Sequence, residues 1–175
     1  MKKLISAAVL AAALALSPVL VPASAVQAAS AEDVAIIQVE VEALIAQYAD
    51  DASGLEAAIE ALVTSASDPE AAAQAVIAAL TNPQSAAAQA ALASNPDLKI
   101  AAGRGLGAAI AMIGLTDPAA AALMQAHVEA SGDATLQAAV SDGTDTRTAS
   151  IQQSRSSASG DATTDSTPET PASPN

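Results

Sequence analysis

"SDPEAAAQAVIAALTNPQSAAAQAALASNPDL", residues 67–98, sets Asp68-Pro69, Asn82-Pro83 and Asn95-Pro96 between stretches of alanine, and Asp117-Pro118 repeats the device downstream. An Asp or Asn side chain accepts a hydrogen bond from an orphan N–H in the first turn of a helix. Proline suits the next position, where its missing N–H costs nothing and its φ already fits. It also drives the residue before it out of the α region, which ends whatever helix came earlier. The pairs therefore predict helix starts, with Asp68, Asn82, Asn95 and Asp117 as N-caps. Capping already employs these polar side chains, so the pattern is scaffolding rather than a site.

Working outward, Ser30 with Asp33 resembles a capping box and opens a helix over 31–49. Val34, Ile37, Val41, Leu44 and Tyr48 fall on one face of it. Ser53 with Glu56 opens a second helix to about residue 66, burying Leu55, Ile59, Leu62 and Val63. The proline-led helices then run over 69–80, 83–93, 96–113 and 118–131, and Gly132 suits a positive-φ stop after the last of them. A short final helix holds Leu136 and Val140. Proline spacings of 14, 13 and then 22 residues begin a repeat and break it. The expectation is an all-α fold, a small irregular bundle of about six or seven short Ala-rich helices over residues 30–141.

The ends of the chain read differently. Lys2-Lys3, the apolar run Leu4–Leu16 and the small residues Ala23-Ser24-Ala25 form the three regions of a secretory signal peptide, residues 1–25. Cleavage is expected after Ala25, with Ala28 as the alternative, and residues 26–29 form a short linker. The apolar run falls short of the about 20 residues of a membrane span, so no stable membrane anchor is expected after cleavage. Residues 142–175 are rich in Ser, Thr, Asp and Pro with Ile151 the one large aliphatic side chain, which predicts a disordered acidic tail.

All 19 acidic residues lie beyond residue 25, and losing Lys2 and Lys3 moves the net charge from −13 to −15. Nucleic acid and anionic lipid demand clustered Lys and Arg, and this balance argues against both as partners. No cysteine is present to form a disulfide, and one Tyr with no Phe or Trp leaves a core of aliphatic side chains and alanine. Such a core buries less area per residue, which predicts modest stability.

Candidate sites are few. Gly103, Gly105 and Ala108 match G-x-G-x-x-A, but a dinucleotide site needs a preceding strand and a βαβ unit, and neither is evident. Gly103, Gly107, Ala111 and Gly114 form a stripe of small residues for close helix packing, inside the domain or between copies. "DDASGLE", residues 50–56, fails as an EF-hand because Ala49 falls at the first ligand position. His127 is the lone histidine, so a multi-histidine metal site is excluded, and no G-x-S-x-G elbow provides a nucleophile. Glu56 and Glu60, one turn apart, are a carboxylate pair on an exposed face. No catalytic residue, metal ligand or cofactor is expected.

The composition resembles that of small alanine-rich exported proteins of Gram-negative bacteria. That resemblance and the leader imply the general secretory route, ending in the periplasm or outside the cell. The expected function is non-catalytic, exerted through an unknown protein partner or self-association. The alternative is an envelope-associated helical oligomer built on the 103–114 stripe; an enzyme or metal binder using His127 or the Asp50-Asp51 turn ranks behind both.

Overall fold

The computed structural model describes residues 30–159. Within them lie seven helices and no strand: α1 Ala31–Gln47, α2 Ala52–Ser65, α3 Pro69–Thr81, α4 Ala86–Ser94, α5 Asp97–Ile113, α6 Pro118–Ala130 and α7 Ala134–Ser159. The cleavage positions Ala25 and Ala28, the linker 26–29 and residues 160–175 lie outside the described residues.

Three of the six expected caps are as read. Ser30 Oγ accepts from Asp33 N at 3.1 Å, Asp68 Oδ1 from Ala71 N at 3.0 Å, and Asp117 Oδ1 from Ala119 N and Ala120 N at 3.1 and 2.9 Å. Ser53 is not a cap. Asp51, two residues earlier, accepts from Gly54 N at 2.9 Å and starts α2 first. Asn82 is not an N-cap either, since its backbone N–H closes α3 onto Ala78 O and the N-cap of α4 is Ser85. At Asn95 the formal N-cap of α5 falls on Pro96, which offers no side chain. Asn95 Oδ1 still accepts from Asp97 N at 3.2 Å, while its Nδ2 donates to Ala49 O at 3.0 Å and ties the turn to the end of α1. Asp133, unforeseen, caps α7 through Leu136 N at 3.0 Å. Gly132 has φ +67°, the left-handed stop expected of it.

These assignments have a measurable consequence. Asp117→Ala removes an acceptor serving two N–H groups and should cost about 1 kcal/mol in urea denaturation. Asn82→Ala, which removes no cap, should fall within about 0.5 kcal/mol of the parent. Equal losses would contradict the assignment.

The core is one cluster of aliphatic side chains and alanines, with Ile45, Leu55, Ile59, Leu98, Leu106, Ile110, Met124 and Leu136 the largest members fully buried. Helix α5 lies at its centre, packed against α2, α7, α6, α3 and α4, while α1 rests on α3 and α4. Glycine lets α5 occupy that place. A Cβ on Gly105 would run into the Glu56 carbonyl of α2, and one on Gly107 into the Val140 carbonyl of α7.

The last element departs most from expectation. In place of a short helix followed by a disordered tail from residue 142, α7 continues for 26 residues, to Ser159. Its polar composition hides three tertiary contacts. Gly143 lies against the backbone of Arg104, where a Cβ would collide, and Thr144 Oγ1 donates to Gly107 O at 3.1 Å. Farther along, Arg147 pairs with Glu60 of α2, and Ser154, Ser156 and Ser157 turn their hydroxyls back onto the helix's own carbonyls.

Candidate functional site

Helix α1, AEDVAIIQVEVEALIAQ, carries large apolar residues around more of its circumference than one buried face requires. A helix on a globular surface normally keeps one apolar stripe and turns polar residues outward. Here Val41 and Ile45 are fully buried, yet Ile36 is 64% and Val39 69% exposed, with Ala35 and Ala43 exposed beside them. The expected inner face, Val34 through Tyr48, is only half-buried apart from Val41.

Buried beside Val41 and Ile45 is Glu42, the single charged side chain in the core of the described residues, at 3% exposure. Its carboxylate accepts from Gln84 N at 2.7 Å, Ser85 N at 2.6 Å and Gln38 Nε2 at 3.0 Å. Gln38 Nε2 also reaches Asn82 O at 3.3 Å. Burial raises the carboxyl's proton affinity, but the two backbone N–H groups and the Gln38 amide more than reverse this, holding Glu42 below the ordinary glutamate range. The tie fixes α1 to the α3–α4 turn, while Ile36, Val39 and Ala43, opposite the buried Val41 and Ile45, face solvent. Within α1 only Gln38, one turn before Glu42, hints at its role, because the backbone groups that hold the carboxylate lie some forty residues away. The excess of apolar residues on α1, by contrast, is visible in the sequence.

Between α1, α2 and α3 runs an open groove of about 610 Å³. Ile36, Ile37 and Leu44 of α1 and Leu62 of α2 supply its apolar lining, and Asp33, Glu40 and Asp68 stand in its wall. At the Asp33–Asp68 end it adjoins a second depression lined by Glu70 and Asp117. The basic side chains of the described residues line neither one. Lys99 pairs with Asp133, Arg104 with Asp142 at 2.5 Å, and Arg147 with Glu60, while Arg155 sits late on α7.

The residues singled out in the sequence are dispersed. Gly103 faces Ala139 and Leu136 of α7, Gly107 faces Val140 and Thr144, and Gly114 sits at the end of α5 near Ala121. Ala111 is half-buried. The small-residue stripe thus meets the chain's own α7 at Gly103 and Gly107. Gly103, Gly105 and Ala108 lie inside a continuous helix, not at a strand-to-helix turn, so the phosphate-cradling geometry is absent from these residues. Asp51 is a cap and Asp50 is exposed. Glu60 is engaged by Arg147 rather than by Glu56. His127 Nε2 lies 2.9 Å from Glu70 Oε1 and 3.1 Å from Gln74 Nε2. Among the described residues no group of three His, Cys, Asp or Glu side chains is placed to hold a metal, and no helix is long and apolar enough to cross a membrane.

No family model, curated protein or solved structure matches the chain.

Proposed function

We propose that this is an exported, non-catalytic helical protein acting in the periplasm or outside the cell through protein contacts, with the outer face of α1 and the adjoining groove as its contact surface. One observation carries the reading: Ile36 and Val39 stand in solvent on a helix whose opposite side is already anchored in the core. Large apolar side chains grouped beside an apolar groove mark interaction surfaces more often than bare solvent-facing ones. The export half of the proposal rests on the leader, Lys2 through Ala25.

Two measurements test it. Mass spectrometry of the protein recovered from cells should give an N-terminus at Val26, or at Ala29 for the alternative site. A photocrosslinking amino acid placed at Ile36 or Val39 in the producing cell should give discrete adducts, while the same group at Ser154 on α7 should not. Matching adduct patterns at all three positions, or none on α1, would remove the contact surface, and an unprocessed N-terminus would remove export.

A further inference from the structure

We infer that the groove between α1, α2 and α3 receives a cationic amphipathic helix of a partner protein, an assignment that rests on the contact-surface reading above. The described residues contain no strand and hence no sheet edge to which an extended peptide could add. With no aromatic side chain in its lining to dock a polyproline segment and no Arg to take a phosphate, a groove between helices suits a helix laid into it, with anchors at i, i+3, i+4 and i+7. The apolar lining extends along α1 from Ile36 to Leu44, two turns, about 12 Å at 1.5 Å per residue. That length matches such a set of anchors.

Charge selects the partner. Asp33, Glu40 and Asp68 stand in the wall, Asp117 lies just beyond, and no Lys or Arg of the described residues lines either depression. An apolar floor with a one-signed acidic wall complements a helix carrying Leu-like anchors flanked by Lys or Arg, and it repels an acidic one. The same charges disfavour the other occupants. A second copy would bring the same carboxylates against these, on a chain of net charge −13. Residues 160–175 add Asp161, Asp165 and Glu169 and contain no large apolar side chain to fill the floor. An anionic membrane surface is repelled outright.

The test uses the full chain and a synthetic 18-residue Leu/Lys helix with segregated faces, followed by fluorescence anisotropy. Binding should be in the micromolar range and weaken at least tenfold between 50 and 500 mM salt. A Leu/Glu helix, and a Leu/Lys peptide of the same composition with its faces scrambled, should not bind. I36N, which removes the exposed apolar side chain of the lining and leaves the charge unchanged, and D33N/E40Q/D68N, which keeps a capping side chain at residue 68, should each bind at least tenfold more weakly, with circular dichroism showing both folded. No binding of the Leu/Lys helix, binding by either variant as tight as the parent's, or binding of the scrambled peptide overturns the inference. So does a dimer in light scattering that I36N dissolves, which would make the occupant a second copy. If adducts at Ile36 persist in cells while the cationic helix does not bind, the inference fails and the contact surface stands; if those adducts are absent too, both fall.

Discussion

Gly107→Ala will destabilise the fold by about 3 kcal/mol, and Gly143→Ala by a similar amount, at or above the upper end of the usual overpacking range. The sign is contrary to helix propensity, since exchanging Gly for Ala in a helix interior gains about 1 kcal/mol. Here the added methyl has nowhere to go. On Gly107 it would meet the Val140 carbonyl and come to 2.8 Å from Thr144 N; on Gly143 it would meet the Arg104 carbonyl and come to 2.7 Å from Arg104 Cα. These are backbone atoms, which cannot rotate aside as a side chain does, so α5 and α7 must separate along their length. Separation also breaks the Thr144 Oγ1 bond to Gly107 O. Gly114→Ala is the control, because its methyl would come no nearer than 3.3 Å to any atom, Ile110 O, with Ala111 O and Ala121 Cβ at 3.6 Å. It should fall within about 0.5 kcal/mol of the parent or stabilise it. Urea denaturation of the three variants decides the matter, and a Gly107→Ala protein as stable as its parent would mean the two helices are not in backbone contact.

Glu42→Ala is the second large loss, again about 3 kcal/mol, because it strands the Gln84 and Ser85 N–H groups that the carboxylate serves. Its character differs from that of the glycine variants. Helix α4 buries only Ala88 and Ala91 and half of Leu92, so it has little packing of its own once its N-terminal turn is released. Hydrogen exchange should therefore quicken first in residues 83–95, with α5 still protected. Protection lost uniformly across the bundle would contradict this order.

Acid should reproduce part of the effect. Glu42 titrates below its ordinary value of 4.5, and Asp133 below 3.8, the latter through the Lys99 ammonium and the Leu136 N–H working against burial. Where a folded-state carboxyl holds its proton more weakly, the unfolded chain binds more protons and stability rises with pH. The contribution is complete above these ordinary values and drains away as pH falls through the lowered ones. The melting temperature should thus be flat from neutral pH to about 5 and drop below about 4.5. Glu42→Gln should start lower and show a shallower acid drop; an identical slope would assign the drop to other carboxylates.

The Asp-Pro and Asn-Pro punctuation and the aliphatic periodicity made the helices from α1 to α6 legible because helix starts are local chemistry. A cap and its N–H are two or three residues apart, and the chain need not know its tertiary fold to form them. Where the cap choice went astray, at Ser53 and Asn82, a neighbouring acceptor or a distant carboxylate had taken over the turn. The length of α7 was illegible for a related reason: residues 142–159 are polar and low in aliphatic content, and what orders them is Gly143 on Arg104, Thr144 on Gly107 and Arg147 on Glu60, all long-range. The small-residue stripe was readable as a close-packing surface, while its partner at Gly103 and Gly107, α7, was named only by the fold.

By itself the sequence determined an all-α domain with one aliphatic core, a helix with a small-residue stripe for close packing and an acidic surface, because caps, periodicity and charge are properties of neighbouring residues. Tertiary structure alone decided which side of α1 faces solvent. Val41 and Ile45 pack into the core and Glu42 reaches backbone groups of the α3–α4 turn, long-range contacts that leave Ile36 and Val39 in solvent, Ile36 on the lining of an apolar groove that also carries Asp33, Glu40 and Asp68.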